Sequence, residues 1–135
     1  IDEKMSSAFS AHSNWPNNLA TPYIVEASKK LLEKFDGFTS GITATAPGFY
    51  APQGRELRIR PVIYNLHEKM NTFSFEENRI TNFEMETSAL YFLGKALGHN
   101  TLTICAIIGN RISKTQSKDY KKTIDRLILS VLEEL

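Results

Sequence analysis

The sequence predicts an α/β fold, because segments with strand character alternate with segments whose apolar residues recur at helical spacing. Phe38–Ala46, which is rich in Thr and Ile, and the short segment Ile80–Met85 are predicted strands. The unbroken apolar and β-branched run Thr101–Gly109 is typical of a central parallel strand that is buried on both faces. The last predicted helix, Ser117–Leu135, is amphipathic and is expected to close a layer over the sheet.

The first part of the chain combines a polar segment with a predicted helix. Ile1–Asn18 is polar, irregular and rich in Ser, so we predict mostly loop there. A helix is predicted to begin at Thr21-Pro22, because a Thr cap followed by proline suits a first helical turn. Apolar residues then recur at helical spacing until Asp36-Gly37 ends the helix, and one face is expected to pack on the sheet.

The middle of the chain predicts a strand and two helices. Glu56–Tyr64 alternates as a strand does, although Pro61 confines it to a sheet edge or breaks it. Leu66–Arg79 predicts a short helix with His67 on its solvent side, and Glu86–Leu97 predicts a second helix. The expected inner face of the second helix consists of Ala89, Leu90, Leu93 and Leu97.

The composition indicates one globular domain, since 41% of the 135 residues are apolar and 23% are charged. A formal charge of +1, without a long block of like charges, gives no indication of a nucleic-acid or membrane partner. The sequence has no apolar run long enough to cross a bilayer and no signal-peptide pattern, so we expect a cytoplasmic location. Cys105, the single cysteine, lies in an apolar run and is expected to be a buried, unreactive thiol.

Three segments carry residues that suit a small-molecule site. The loop Pro47–Arg55 follows a predicted strand, and ligands of open α/β sheets bind where strands end. Glu84–Glu86 places two carboxylates around a methionine where a short strand turns into a helix, and Ile107–Arg111 ends a predicted strand in Asn-Arg. Each segment alone also has a structural interpretation, such as turn residues in the loop or a carboxylate at a helix N-terminus.

Taken together, the three segments resemble the C-terminal half of the nucleoside phosphorylases, and within them the uridine phosphorylases. The family pattern is a loop with an aromatic, a glutamine and an arginine, then an E-M-E segment, then an apolar strand that closes on N-R. The matching residues are Phe49, Gln53 and Arg55; Glu84, Met85 and Glu86; and Asn110 and Arg111. The resemblance implies a three-layer α/β/α fold with a mixed central sheet, of which residues 1–135 form the C-terminal portion of a single domain.

The resemblance also implies a reaction. A uridine phosphorylase is a glycosyltransferase (pentosyltransferase) of pyrimidine salvage, which converts uridine and phosphate into uracil and ribose 1-phosphate. In the family, phosphate attacks the sugar directly, so no residue is expected to act as a nucleophile, and no metal or organic cofactor is expected. Family members are homo-oligomers, dimers or hexamers of dimers. Their phosphate-binding loop lies in the N-terminal half, so we expect this chain, which begins at Ile1, to be part of a longer protein.

Residue roles carried over from the family divide the site into a base end and a sugar end. Gln53 and Arg55 match the pair that binds uracil, Phe49 the aromatic that packs on its ring, and Arg111 an arginine near a uracil carbonyl. The remaining three match the sugar end: Met85 packs on the ribose, Glu86 binds its hydroxyls, and Glu84 lies at the edge of the site.

The end of the last predicted strand bears on the choice of base. Purine phosphorylases of this superfamily typically place an aspartate there, which can protonate the leaving purine. This strand ends Gly109-Asn110-Arg111, and an asparagine cannot act as that acid. Two alternatives stay open: a purine or methylthioadenosine-type nucleosidase or phosphorylase of the same fold, and a non-catalytic nucleoside-binding module.

Overall fold

A three-stranded mixed sheet positions the candidate site in the computed structural model, which describes residues 2–135. Its strands are β1 (Ile42–Thr45), β2 (Ser74–Phe75) and β3 (Asn78–Glu84), in the order β1-β3-β2. β1 pairs with β3 in parallel and β2 pairs with β3 in antiparallel orientation. The predicted α/β class with a mixed sheet is confirmed.

Five helices and a small ribbon complete the described chain. The helices are α1 (Glu3–Ser13), α2 (Lys29–Lys34), α3 (Leu66–Thr72), α4 (Thr87–Ala96) and α5 (Tyr120–Glu133). The ribbon pairs β4 (Gly109–Asn110) with β5 (Thr115–Gln116), and a short 3-10 turn covers Ala51–Gln53.

The hydrophobic core lies between α1, α3 and the sheet. Its buried side chains are Phe9, Ile63, Leu66, Met70 and Phe73. The rings of Phe9 and Phe73 meet edge to face, with centroids 5.1 Å apart. Burial of such aromatic and aliphatic groups supplies most of the free energy that holds α3 on the sheet. α3 in turn carries one residue of the candidate site.

The N-terminal loop prediction is wrong, because residues 3–13 form α1. Asp2 caps the helix by accepting a hydrogen bond from the Met5 backbone N–H at 3.0 Å. Phe9 is buried one turn after Met5, so the helix contributes an apolar stripe despite its many serines. Ile1 lies outside the described residues.

The next helix is shorter than predicted, because only Lys29–Lys34 is helical. Residues 22–28 instead run beside other segments: Ile24 O accepts from Asp2 N at 3.1 Å, and Ser28 N donates to Thr101 O at 2.9 Å. These long-range hydrogen bonds replace those that the helix would have supplied.

The strand predicted at Glu56–Tyr64 is also absent. The segment is irregular, and Ile59 is 84% exposed.

The prediction for Leu66–Arg79 holds for its first half alone. The helix ends at Thr72, and the chain then turns through β2 into β3. Glu76, in the turn between those strands, has a positive φ of 53°. The strand predicted at Ile80–Met85 is confirmed as part of β3.

The apolar run Thr101–Gly109 is not the predicted central strand, because no strand of residues 2–135 pairs along 101–108. Thr103 N donates instead to the Tyr91 hydroxyl at 2.8 Å. The Tyr91 side chain of α4 thus satisfies one backbone group that a strand partner would otherwise satisfy. The run is half-buried up to Ala106 and exposed beyond it.

The helix predicted at Glu86–Leu97 is confirmed as α4, but its inner face is wrong. Its buried residues are Thr87, Tyr91 and Gly94, while Leu90, Leu93 and Leu97 are exposed and Ala89 lies with them. Gly94 permits close approach, since a Cβ there would lie 2.4 Å from Thr101 Cγ2. Close packing against Thr101 therefore requires a small residue at position 94.

The predicted terminal helix is confirmed as α5, with Asp119 capping it through a 3.3 Å hydrogen bond from Lys122 N. The expected closure of a layer is wrong for the described residues. No α5 residue is buried, and Ile128 and Leu132 on its apolar face are 50% and 60% exposed.

Candidate functional site

The two chain segments that carry most of the predicted site leave the sheet at the same end. β1 and β3 are parallel, and their last residues, Thr45 and Glu84, are partners in the pairing register. Pro47–Arg55 follows β1, and Met85-Glu86 follows β3. The predicted placement of the loop at the carboxyl end of a strand is confirmed, and that end is a common ligand position in α/β sheets.

Gln53 is the centre of the predicted base end. Its side chain is only 4% exposed, and its Oε1 accepts hydrogen bonds from Arg55 Nη1 at 3.0 Å and from Arg111 Nη2. Arg111 Nη1 also donates to the Gln53 backbone oxygen at 2.8 Å. Both guanidinium groups therefore hold the amide oxygen. The Gln53 amide nitrogen makes no hydrogen bond within residues 2–135, so it is the group that can donate to a ligand.

The two arginines form a positive site without an acidic partner. Within the part of the chain that the structure describes, neither Arg55 nor Arg111 pairs with a carboxylate. Burial, followed by the neighbouring charge of Arg55, lowers the pKa of Arg111. A pair of uncompensated, partly desolvated cations stabilises an anion placed between or beside them.

The Arg55 guanidinium covers one face of the Phe49 ring. The Arg55 guanidinium carbon lies 3.6 Å from the Phe49 ring centroid, and Arg55 Nη1 also donates to the Phe49 carbonyl. Tyr50 packs edge to face on the same ring at 5.3 Å. Phe49 is still 53% exposed, so ring surface remains for contact with a planar ligand.

His67 belongs to this cluster, and the solvent-side prediction for it is wrong. The side chain is half-buried, and its Nε2 lies 2.9 Å from Arg111 Nη1. The Phe83 ring of β3 packs against the His67 ring, with the two ring centroids 5.5 Å apart. The Arg111 guanidinium carbon lies 5.1 Å from the centroid of the Phe83 ring. The available sequence signal is position: His67 adjoins Leu66, a buried residue that faces the core with Met70 one turn later.

Glu84 joins the end of β3 to both α4 and β1. Its Oε2 accepts hydrogen bonds from the backbone N–H groups of Glu86 and Thr87, at 2.7 and 2.6 Å, and its Oε1 accepts one from Thr45 Oγ1. The carboxylate therefore satisfies free amides at the start of α4, as an N-terminal cap does. Glu84 thus connects the ends of β1 and β3 to the start of α4.

Met85 and Glu86 lie at the same end of the sheet, and within residues 2–135 their side chains make no hydrogen bond or ion pair with Gln53 or either arginine. Met85 is 36% exposed, and the Glu86 side chain is exposed and makes no hydrogen bond within residues 2–135. The geometry thus brings Phe49, Gln53, Arg55 and Arg111 into one cluster. The Met85 thioether and the Glu86 carboxylate lie at the same end of the sheet, outside this cluster, and are accessible to a ligand.

Asn110 is exposed and has a structural contact of its own. Its Oδ1 accepts from Ile112 N at 2.9 Å and Ser113 N at 3.1 Å, which fixes the turn between β4 and β5. Arg111 is the first residue of that turn, so these hydrogen bonds help to set the backbone position from which its side chain extends.

The hydrogen bonds to Glu84 predict a stability effect that depends on pH. Burial is the largest influence and opposes ionisation, but the hydrogen bonds from Thr45, Glu86 and Thr87 outweigh it and lower the pKa of Glu84. Because this pKa is lower in the folded chain than in the unfolded one, the stabilisation is fully present above about pH 4.5 and is lost as pH falls through the folded value. We expect Glu84→Gln to cost about 1 kcal/mol near neutral pH.

Thermal unfolding of the wild type and Glu84→Gln, followed from neutral pH downward, checks this expectation. The difference in Tm should be constant near neutrality and should shrink in acid. Glu77→Gln is the matched control, since Glu77 is exposed in the turn between β2 and β3 and makes no ion pair or side-chain hydrogen bond within residues 2–135, and its Tm should equal that of the wild type. An undiminished Glu84→Gln effect in strong acid would contradict the explanation.

Other reactive side chains give no sign of a second site. Burial, followed by the charge of Glu84, raises the pKa of the Cys105 thiol, which supports an unreactive cysteine. Residues 2–135 contain no group of His, Cys, Asp and Glu side chains arranged to hold a metal ion. Across the same residues, the helices are too short or too polar to span a membrane.

Comparison with known proteins identifies the family. A family model described as the phosphorylase superfamily matches residues 4–132, so the chain belongs to the phosphorylase superfamily. Among curated proteins, the chain is similar to a uridine phosphorylase of Thermococcus kodakarensis, with 30% identity over 105 residues. The alignment covers 73% of this chain and 34% of the relative, so the chain spans about a third of that protein's length. No solved structure matches the chain significantly.

Proposed function

We propose that the protein containing this chain is a uridine phosphorylase, and that the Gln53 cluster is its base site. The observation that carries the proposal is the pair of arginines on Gln53, with no carboxylate beside either of them in the described chain. A pyrimidine leaving as its anion requires such positive charge. The uridine phosphorylase among the relatives supports the same substrate.

At the base end, charge develops on the departing ring as the glycosidic bond breaks. Arg55 and Arg111 supply permanent positive charge at that point, and fixed cations that strengthen their contacts in the transition state lower the barrier. Gln53 adds an amide donor for a ring carbonyl. Its oxygen is held by the arginines, so the amide is oriented before the substrate arrives.

At the sugar end, the ribose carbon gains positive charge while phosphate approaches it. Glu86 is the carboxylate proposed to accept hydrogen bonds from the ribose hydroxyls and to hold negative charge near that carbon. Met85 is proposed to pack on the sugar ring, where a flexible thioether fits an irregular apolar surface. Glu84, which caps α4, keeps the segment that bears both groups at the end of β3.

The test is a product assay on the complete protein. Uridine and phosphate should give uracil and ribose 1-phosphate, without added metal or organic cofactor, and omission of phosphate should stop the release of uracil. Release of uracil and free ribose without phosphate would indicate a nucleosidase instead. Tight uridine binding by calorimetry without turnover under any condition would indicate a binding module.

A further inference from the structure

We propose that His67 is a positioning residue of the base site: its neutral Nε2 accepts a hydrogen bond from Arg111 and holds that guanidinium against Gln53. The inference rests on the proposed function, because it assigns Arg111 to the base. It goes beyond that function by naming a residue that contacts no substrate and by adding a dependence on pH.

The chemistry of the pair fixes the state of the histidine. A guanidinium can only donate, so the 2.9 Å contact between Arg111 Nη1 and His67 Nε2 requires a lone pair on that nitrogen. The proton of neutral His67 is therefore on Nδ1. A protonated imidazole has no acceptor at all and would repel the guanidinium.

Three neighbours hold the His67 ring in place for this contact. Phe83 packs against it from β3. Gly54, between Gln53 and Arg55, approaches so closely that a Cβ there would lie 3.2 Å from His67 Cδ2. His67 itself follows Leu66, which is buried in the core. Because His67 is part of α3, its contacts fix the loop Pro47–Arg55 and Arg111 relative to that helix.

The hydrogen bonds of Arg111 explain why one more acceptor matters. Gln53 supplies both of its other acceptors, through the backbone oxygen and Oε1. These two acceptors lie on a single loop residue. His67 adds an acceptor from a helix anchored in the core, which limits the rotation of Arg111 away from the base site.

The charged groups around His67 determine how it titrates. Arg111 and Arg55 face it from the strand end and the loop, and burial together with those two charges, in that order, lowers the pKa of His67 from its usual 6.5. Glu56 and Glu68 line a cavity of about 250 Å³ beside the ring. β3 contributes the uncharged Phe83, and α1 meets α3 at its other end, where His12 contacts Lys69 O at 2.9 Å.

Since the folded-state pKa is below 6.5, His67 is neutral at neutral pH and accepts the hydrogen bond there. As pH falls through that pKa, the contact is lost and a third positive charge repels Arg111. We therefore expect kcat/KM for uridine to be constant near neutral pH and to fall in acid, because Arg111 stabilises the charge on the departing base mainly in the transition state.

Three substitutions in the complete enzyme test the inference. His67→Gln keeps a neutral acceptor and should have a nearly wild-type kcat/KM at neutral pH that no longer falls in acid. His67→Leu removes the acceptor and should lower kcat/KM about tenfold at all pH values. His67→Lys should have a low kcat/KM throughout. His99→Gln, at an exposed turn residue, is the control and should retain the wild-type pH profile.

Nitrogen NMR of His67 separates this inference from the proposed function, because it needs no substrate. We expect the Nδ1-protonated tautomer, and we expect the pKa of His67 to rise in Arg111→Gln. A Nε2-protonated ring, or a His67→Gln enzyme with the wild-type acid profile, would overturn the positioning role even if uridine is the substrate. Failure to cleave uridine with the expected tautomer present would count against the proposed function instead.

Discussion

Replacement of Arg55 by alanine is expected to reduce kcat/KM for uridine by about two to three orders of magnitude, the usual cost of removing one fixed group that stabilises transition-state charge. Arg55 donates to Gln53 Oε1 and lies over the Phe49 ring. Its loss removes a charge from the base site, one of the two guanidinium groups that hold Gln53 Oε1, and the cation that covers Phe49. We expect both kcat and kcat/KM to fall, because the developing charge on uracil exists mainly in the transition state.

Two further variants make this result specific. Arg55→Lys keeps the positive charge but loses the planar fork of donors, and should fall between alanine and the wild type. Arg58→Ala is the matched control, since Arg58 is exposed and makes no ion pair or hydrogen bond within residues 2–135. Equal losses in Arg55→Ala and Arg58→Ala would remove Arg55 from the base site.

Uridine is expected to be preferred over inosine and adenosine by well over tenfold in kcat/KM, where each factor of ten corresponds to about 1.4 kcal/mol of differential transition-state binding. A leaving purine benefits from a proton delivered to its imidazole ring. The base cluster offers two arginines instead, and burial together with these arginines keeps neighbouring His67 unprotonated at neutral pH. Asn110 accepts hydrogen bonds from its own turn and cannot supply the proton.

Competition assays with mixed nucleosides check this preference in the complete enzyme. Cytidine should also be poor, because its amino group places a donor where uridine has an acceptor and faces the arginines with the wrong polarity. Comparable turnover of inosine would show that the assignment of Gln53, Arg55 and Asn110 is wrong, while leaving the family assignment intact.

Sequence patterns were sufficient where a local signal and the fold agree. Pro47, with the Gly and Pro residues after it, marks the end of β1 and the start of the loop, so the position of Gln53 and Arg55 at a strand end follows from the sequence. The strand-to-helix change at Glu84–Glu86 has the same origin. Family resemblance then supplied the pairing of distant residues, which periodicity alone cannot supply.

The remaining features depend on contacts between distant segments. The position of His67 beside Leu66 places it near the core boundary, but its contact with Arg111 could not be predicted, because that partner is 44 residues away in the sequence. The buried face of α4 follows from Thr101 and Thr103 packing on Gly94 and Tyr91, which reverses the face that leucine spacing predicts. An apolar run such as Thr101–Gly109 forms a strand only if a neighbouring strand pairs with it.

Two uncompensated arginines would also attract inorganic phosphate, so the position of the base is the central point to establish. A crystal structure of the complete protein with uracil and phosphate measures it most directly. We expect uracil against Phe49, with its carbonyl oxygens within hydrogen-bond distance of the Gln53 amide and the Arg55 or Arg111 guanidinium, and phosphate elsewhere. Phosphate bound between Arg55 and Arg111, with uracil at another position, would contradict it.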